Sequence, residues 1–432
     1  MLEYLHLDNV GPAPFMEMAL APRLNLLTGD NGLGKSFLLD VAWWALTRRW
    51  PQELNSQLTS GYRAMPRDVK KPATIGFRIQ SKTKPVEYTS KYSPRDERWI
   101  GKAGRPANPG LVIYAHADGG FSVWDPARNY WRTRGKEDVQ DTVPAYVFSP
   151  HEVWNGRTID FGGKQTLICR GLIEDWAIWI RERGQSAGHM AVILKHLAHP
   201  GEPLEVGPLL RLSVNDARDI PSIKTPNGDP VRIVHASAGV RRIMGLAYML
   251  MWSWDEHTRN ADLQGLGWAN HVTILFDEIE SHLHPRWQRS ILQSVLAVTT
   301  VLHSHAKVQL IAATHSPLVL ASAEPLFDDA TDAWFDLDLD RKSGLVELRQ
   351  RPFVHHGDVS NWLTSEAFDL KDARSREAET AIEHARALLR SKRPTLARAR
   401  AIDGELRAAG LSGIDPFWVR WSAFVDRLAG KS

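Results

Sequence analysis

Cysteine is almost absent: one residue, Cys169, stands in 432. That excludes an internal disulfide and a cysteine-based zinc cluster, and a reducing cytosol is the simple reading. Long apolar runs are missing too. The longest, Ile243–Trp254 and Ile291–Leu302, fall short of the roughly 20 residues that cross a bilayer and read as core helices, so no membrane contact is expected. The first residues, "MLEYLHLDNV", lack the basic region of a signal sequence and alternate like a strand. The expected location is therefore cytoplasmic. Sustained heptads, internal repeats and low-complexity tracts are not found. Charge of one sign is scarce as well, because a net +3 is too little to prove a nucleic-acid partner. What is present is a globular composition, 43% hydrophobic and 24% charged, long enough for one elaborated domain or two. The seventeen tryptophans, scattered from Trp43 to Trp421, read mostly as core or interface anchors.

Hydrophobic periodicity orders the chain. Residues 1–28 predict two alternating strands, the second ending in "LNLLTG", and Lys35–Trp50 a helix with Leu38, Leu39, Ala42 and Trp43 on one side. Residues 73–132 read as β-rich, with "HADGGF" turning between "LVIYA" and "FSVW". "VPAYVFSPHEVW" predicts a strand and a polar loop, and Thr166–His199 a helical stretch with Leu172, Trp176, Trp179 and Ile180 on one face. "IKTPNGDPVRIV" predicts a hairpin turning at Asn227-Gly228. Residues 271–277 and 307–314 are short apolar runs of the kind buried in a parallel sheet. Beyond about residue 355 the pattern is helical.

Three motifs carry chemistry. "GDNGLGKS", comprising Gly29, Asp30, Asn31, Gly32, Leu33, Gly34, Lys35 and Ser36, fits G-x-x-x-x-G-K-[ST] between a strand and a helix. In that setting the loop amides cradle phosphates, Lys35 reaches the β and γ groups and Ser36 holds Mg²⁺. "HVTILFDEIESHLHP" ends an apolar strand in Asp277, placed to hold the Mg²⁺ through water, and Glu278, placed to polarise the attacking water. Glu280 either assists or caps the next segment. His282 and His284 read as a structural loop ending at Pro285 in preference to a metal pair. "VQLIAATHSPLVLAS" ends a further strand in His315, a candidate to bond the γ-phosphate or the water. A fourth stretch, "VHASAGVRRIMGLAYML", read alone, is a helix capped by Ser237.

The order of P-loop, Ser-Ala-Gly helix, "ILFDE" and "ATHSP" resembles the ABC-type ATPase heads of SMC and DNA-repair proteins. It is closer still to the AAA-type, ABC-like ATPases of OLD-family, Septu- and retron-associated bacterial defence systems. The likeness covers residues 1–50 and 230–325, with a weaker echo in "WLTSEAFDL". It implies an α/β P-loop NTPase of ABC-ATPase-head type, with a mixed β-sheet core flanked by helices, a helical insertion and a helical C-terminal tail. The divisions expected are a core N-terminal lobe at 1–156, an insertion at 157–205, a core C-terminal lobe at 206–350 and a helical region at 351–432. In such heads a signature of the form LSGGQ contacts ATP on the opposite subunit. Ala236-Ser237-Ala238-Gly239-Val240 would hold that place, with the Ser237 hydroxyl and Gly239 amide donating at a positive helix terminus. Leucine, one glycine and the glutamine are replaced, and "HTRNADLQGLGWAN" lengthens the path to Asp277. Arg241 and Arg242 face either a partner subunit or solvent. The family's Gln loop has no glutamine near "VFSPHEVWNG", where Ser149 or His151 would substitute.

What the resemblance implies is Mg-dependent ATP hydrolysis by a head-to-head homodimer. Such a dimer would control a separate effector protein, for example a nuclease, in anti-phage defence or DNA surveillance. A repair or chromosome-maintenance ATPase acting directly on DNA is the alternative, which a salt-dependent DNA affinity would favour. A transporter subunit fits poorly. So does an OLD-type nuclease: Asp336, Asp338 and Asp340 of "WFDLDLDRKSG" mimic a TOPRIM metal site, but read more simply as the solvent face of an edge strand opposite Phe335, Leu337 and Leu339. In the tail, Arg390, Lys392, Arg393, Arg398 and Arg400 read first as a solvated face, then as a docking surface for a protein, then as a nucleic-acid contact.

Overall fold

The apolar runs at Leu24–Gly29, Leu111–Ala115, His271–Phe276 and Lys307–Ala313 show no polar alternation because both their faces are covered. In the computed structural model they lie parallel in one eight-stranded sheet together with Asp332–Asp340. The structure describes all residues except 82, 83, 136, 200, 225–227, 303–305, 369, 431 and 432. Across the sheet the order is Tyr146–Phe148, Phe121–Trp124, Leu111–Ala115, His271–Phe276, Lys307–Ala313, Leu24–Gly29, Asp332–Asp340, Leu345–Arg351. Phe121–Trp124 pairs antiparallel with both its neighbours, and Leu345–Arg351 is antiparallel to Asp332–Asp340. The strand before the P-loop, the strand before His315 and the strand before Asp277 are thus consecutive neighbours. Their carboxyl ends share one edge, where ligands of open α/β sheets bind.

Residues 1–28 form three strands, not two. Gly11, at φ 72°, turns Leu2–Val10 back into Ala13–Ala19 before the P-loop strand begins. This hairpin belongs to a second, antiparallel sheet continued by Thr74–Gln80, Pro85–Ser93 and Arg98–Ile100. The P-loop helix, Lys35–Thr47, shares one core with apolar residues of both sheets, so Val41, Trp44, Ala45 and Leu46 are buried as fully as the predicted Leu38, Leu39, Ala42 and Trp43. It stops short of Trp50 because Arg48 turns left-handed at φ 63°. Gln309, 1% exposed, binds the first strand to the core: its amide donates to Leu2 O (2.8 Å) and Ala21 O (2.9 Å) and accepts from Leu2 N (3.0 Å).

The predicted turn between Leu111–Ala115 and Phe121–Trp124 is found. The expected polar loop at "PHEVWN" is a short helix, Pro150–Asn155, started by a capping box between Ser149 and Glu152 with proline in the first turn. Lys164–Cys169 completes a hairpin with Arg157–Phe161, so the chain from Thr166 to Cys169 is strand where helix was expected, and the helical period is expressed as Leu172–Glu182 and Gln185–Leu197. Leu172 and Trp176 are buried there, while Trp179 and Ile180 are half-buried. Ser222–Lys224 and Pro230–Arg232 pair with Ile223 opposite Val231. Asn227, where their turn was placed, lies outside the described residues.

The strand Asp332–Asp340 is not an edge strand. It lies between the P-loop strand and Leu345–Arg351, so Asp336 is buried (2% exposed) while Leu339 reaches solvent. The buried carboxylate is compensated: Thr28 Oγ1 donates to it at 2.9 Å, and Arg351 lies at 3.4 Å. Thr28 Oγ1 in turn accepts from Trp334 Nε1 at 2.8 Å. Thr28→Val, which keeps shape but removes the hydroxyl, should therefore lower the unfolding free energy by about 2 kcal/mol. A fall in the urea midpoint at unchanged slope is the expected reading.

Residues 1–357 form one compact unit and residues 358–432 another. The second is helical, with Arg376–Leu389, Leu396–Ala408 and Phe417–Leu428 packed around Ile382, Ala385, Leu406 and Trp421. Its Arg390, Lys392, Arg393, Arg398 and Arg400 are exposed. Asp369 of "WLTSEAFDL" lies outside the described residues. Among the described residues no helix is long and apolar enough to cross a membrane.

Candidate functional site

Two glycines shape the P-loop. At Gly29, φ 129°, a Cβ would meet Leu337 O at 2.2 Å on the neighbouring strand, and at Gly34, φ 110°, it would meet Pro12 Cγ at 2.7 Å. Only glycine satisfies both the backbone angle and the close approach. Asp30, Asn31 and Gly32 are exposed at the loop tip, and Leu33 packs onto the core beneath. Lys35 is 4% exposed and folds back to donate to Gly29 O (2.6 Å) and Asp30 O (2.9 Å). Burial lowers its pKa to about 8, against the pull of the Asp277 charge. A lysine so poorly solvated gains from an incoming polyphosphate.

Ser36 Oγ donates to Asp277 Oδ1 at 3.0 Å, which places a hydroxyl and a carboxylate side by side at the helix start. Asp277 is 2% exposed, and burial pushes its pKa up to about 6 despite the Ser36 bond. This paired oxygen set, beside an open phosphate cradle, fits a hard divalent cation such as Mg²⁺. Asp40, one turn after Ser36, is buried as well and accepts from Tyr114 Oη at 2.9 Å. Burial raises it to about 8, so it is largely neutral at pH 7 and leaves Asp277 as the carboxylate that ionises first.

The turn after Asp277 is pinned from both sides. The Asp277 amide donates to Ala115 O (2.9 Å) and that of Ile279 to Ala313 O (3.2 Å). Between them Glu278 sits left-handed at φ 48°, a strained conformation of the kind that clusters at functional sites. Glu280 then accepts from Thr314 Oγ1 (2.7 Å) and from the His315 amide (2.5 Å), tying this turn to the segment that carries the histidine. Ser316 caps the helix Pro317–Ala323 and donates to Gln288 Oε1 at 2.7 Å. Burial, helped by the Lys35 charge, lowers the pKa of His315, so its ring is neutral at pH 7.

Lys35, Ser36, Asp277, Glu278 and His315 are thus brought to one edge. Ser237 and Gly239 are placed differently. Ser237 is exposed, its hydroxyl accepts from Val240 N at 3.4 Å as an N-cap, and it makes no bond to the P-loop of its own chain. Gly239 packs beside the turn after Glu278, where a Cβ would stand 2.9 Å from His282 O. His282 is left-handed at φ 64°, and His284 Nδ1 accepts from Arg286 N at 3.3 Å.

Sequence reasoning left Arg242 undecided between partner and solvent; it faces neither. It is 8% exposed with no hydrogen-bond partner for its guanidinium, whose centre lies 5.6 Å from the Phe276 ring. Burial lowers its pKa to about 10, although Asp118, Asp277 and Glu278 pull it up. The signal was its position: Arg242 opens an unbroken buried run that continues to Ser253. Ser149 is engaged in its capping box, and its hydroxyl donates to Gln57 Oε1 at 3.0 Å. A glutamine therefore does approach this segment, from 92 residues away in the chain.

The sheet order and the residues gathered at its edge define an ABC-like P-loop ATPase. The chain belongs to the family described as "AAA domain, putative AbiEii toxin, Type IV TA system", whose profile matches residues 24–321. Septu protein PtuA of Bacillus mycoides (strain KBAB4) is 37% identical over 84 residues, 19% of this chain and 10% of that protein. Septu protein PtuA of Bacillus thuringiensis is 28% identical over 153 residues, 34% of this chain and 33% of that protein. The Retron Vc95 probable ATPase of Vibrio cholerae serotype O1 biovar El Tor is 43% identical over 49 residues, 11% of this chain and 8% of that protein. The matches thus span no more than 33% of these relatives' lengths. Among solved structures, an SMC head bound to the C-winged helix domain of ScpA aligns over 81% of this chain and 97% of its own, at 13% identity and TM-score 0.42. The recombination mediator protein RecF aligns over 81% and 98%, at 14% identity and TM-score 0.38.

Proposed function

We propose that this chain hydrolyses ATP with Mg²⁺, closes head to head with a second copy when ATP binds, and thereby controls a separate effector such as a nuclease. The observation that carries the reading is the junction of Lys35, the Ser36–Asp277 pair, Glu278 and His315, locked by Glu280. Ser36 and Asp277 would hold the metal, which supplies charge neutralisation at the phosphate oxygens. Lys35 exchanges the carbonyls of Gly29 and Asp30 for the β and γ oxygens. Glu278 orients the attacking water and takes its proton, and neutral His315 donates to the γ-phosphate. Likeness to the Septu proteins PtuA and to a retron ATPase supports a place in anti-phage defence or DNA surveillance.

Closure is supported by the exposure of Ser237 at the N-cap of a 26-residue helix, a positive helix end open to a partner. Ser237→Arg should abolish ATP-dependent dimerisation, read by light scattering, while ATP affinity stays within about twofold. A variant that still dimerises normally would remove the trans contact from the scheme. Glu280→Ala strips the Thr314 hydroxyl and the His315 amide of their acceptor. It should lower turnover about tenfold with little change in KM for ATP, as expected when a transition-state contact loses its positioning.

A further inference from the structure

The P-loop helix ends about 20 Å from Lys35 against a cavity of ≈ 690 Å³, which adjoins a second of ≈ 670 Å³. They share Ser81, Arg105, Ala107, Tyr130 and Trp131, and neither lining contains an aspartate or glutamate. Arg48, Arg49, Lys84, Lys102 and Arg105 line the first. Among the described residues only Arg105 of these reaches a carboxylate, Asp138 at 3.6 Å. Arg48 is the most committed: its Nη1 is buried without a hydrogen-bond partner, and its guanidinium lies 4.0 Å from the Phe77 ring centre and 4.5 Å from that of Tyr88. Gathering five cations with a single carboxylate, Asp138, near one of them costs Coulombic repulsion and desolvation, which an anionic occupant would offset.

The aromatic residues narrow the class of anion. Trp131 is half-buried where the two cavities meet, and its indole has neither a hydrogen bond nor a ring partner among the described residues. Tyr130, beside it, carries the Arg105 guanidinium 4.3 Å from its ring centre and donates its hydroxyl to Pro106 O at 2.6 Å, which fixes the ring. A fixed tyrosine, an unpartnered indole and flanking cations match a planar base linked to phosphate; a carboxylate side chain would use the cations and leave the indole bare. We propose that this acid-free double cavity is a second nucleotide site, separate from the P-loop, in which a base stacks on Trp131 and a phosphate is held by Lys102, Arg105 and Arg49. The ligand is either a free nucleotide or the 5′ end of a single strand.

Binding is measured on the full chain carrying Lys35→Ala, so that the P-loop contributes nothing. The probe is a 5′-phosphorylated octathymidylate with a 3′ fluorescein, followed by anisotropy at low salt. Saturable binding is expected. Trp131→Ala should weaken it about tenfold, Trp131→Phe should restore most of it, and the exposed pair Lys102→Glu with Arg105→Glu should weaken it further and flatten its salt dependence. Displacement by AMP assigns the site to free nucleotides, and displacement by unlabelled oligonucleotide but not by AMP assigns it to strand ends. Absence of binding, displacement by pyrophosphate as effective as by either nucleotide, or an unchanged affinity in Trp131→Ala overturns the proposal.

Discussion

Glu278→Gln should reduce steady-state ATP turnover by about 10³-fold while ATP affinity changes by less than about twofold. Glutamine keeps the length of the side chain and can still bond a water, but it cannot take the proton. The neighbouring parts should survive the exchange. Glu278 is half-buried and makes no side-chain bond to Thr314 or His315, whose acceptor is Glu280, or to Ser36, whose acceptor is Asp277. The left-handed backbone at φ 48° is no more costly for glutamine than for glutamate. If hydrolysis is what opens the dimer, the variant should also accumulate as an ATP-bound dimer in light scattering. Phosphate release measured beside nucleotide binding separates the two effects. Unchanged turnover would move the base to another acid, such as Asp30, which is exposed in the P-loop.

The parts of this site that could be read from sequence are those whose geometry is local. Gly29 and Gly34 are required by the loop's own turns and its immediate neighbours, and Lys35 and Ser36 follow because the helix starts there. Asp277 and His315 end apolar runs, and a run buried on both faces in a parallel sheet delivers its last residue to the ligand edge. What stayed hidden depends on contacts distant in the chain. The alternation of "WFDLDLD" has the same appearance in an edge strand and an interior one. Thr28, 308 residues away in sequence from Asp336, and Arg351 on the next strand are what show that the aspartate is buried and satisfied. Glu280 could not be assigned because its partners lie 34 and 35 residues on, across a helix and a strand. The P-loop helix gave a one-sided pattern because its other side faces a second sheet whose first hairpin was read as a single strand. Gln57 escaped because nothing in its own neighbourhood signals that the Ser149 hydroxyl will reach it.

Asp277→Asn should yield a protein that is inactive with ATP and more stable without it. In the nucleotide-free chain burial raises the Asp277 carboxyl from 3.8 to about 6. A carboxyl raised by folding contributes stability below its unfolded pKa and loses that contribution as pH climbs through the folded one. Above pH 6, therefore, the ionised side chain is a burden on the fold, and a shift of about two pKa units corresponds to about 3 kcal/mol at most. Asparagine removes the charge yet still accepts from Ser36 Oγ. Against this, Lys35 loses the strongest of the charges that support its own ionisation, although Asp30, Glu278 and Glu280 remain. The balance leaves an expected gain of about 1–2 kcal/mol at pH 7.5, shrinking to about a third of that at pH 4.5 and vanishing only below pH 3.8, where the carboxyl is protonated in both folded and unfolded chains. Urea unfolding at the two pH values checks it, and a variant that is less stable at pH 7.5 would show that the Lys35 term dominates. Activity moves the other way. Without a carboxylate to share a cation with Ser36, turnover should fall by about 10³-fold, and MgATP should stabilise the variant far less than the parent. The two signs together distinguish a residue kept for its charge from one kept for the fold: removing Asp277 should improve the empty protein and disable the loaded one.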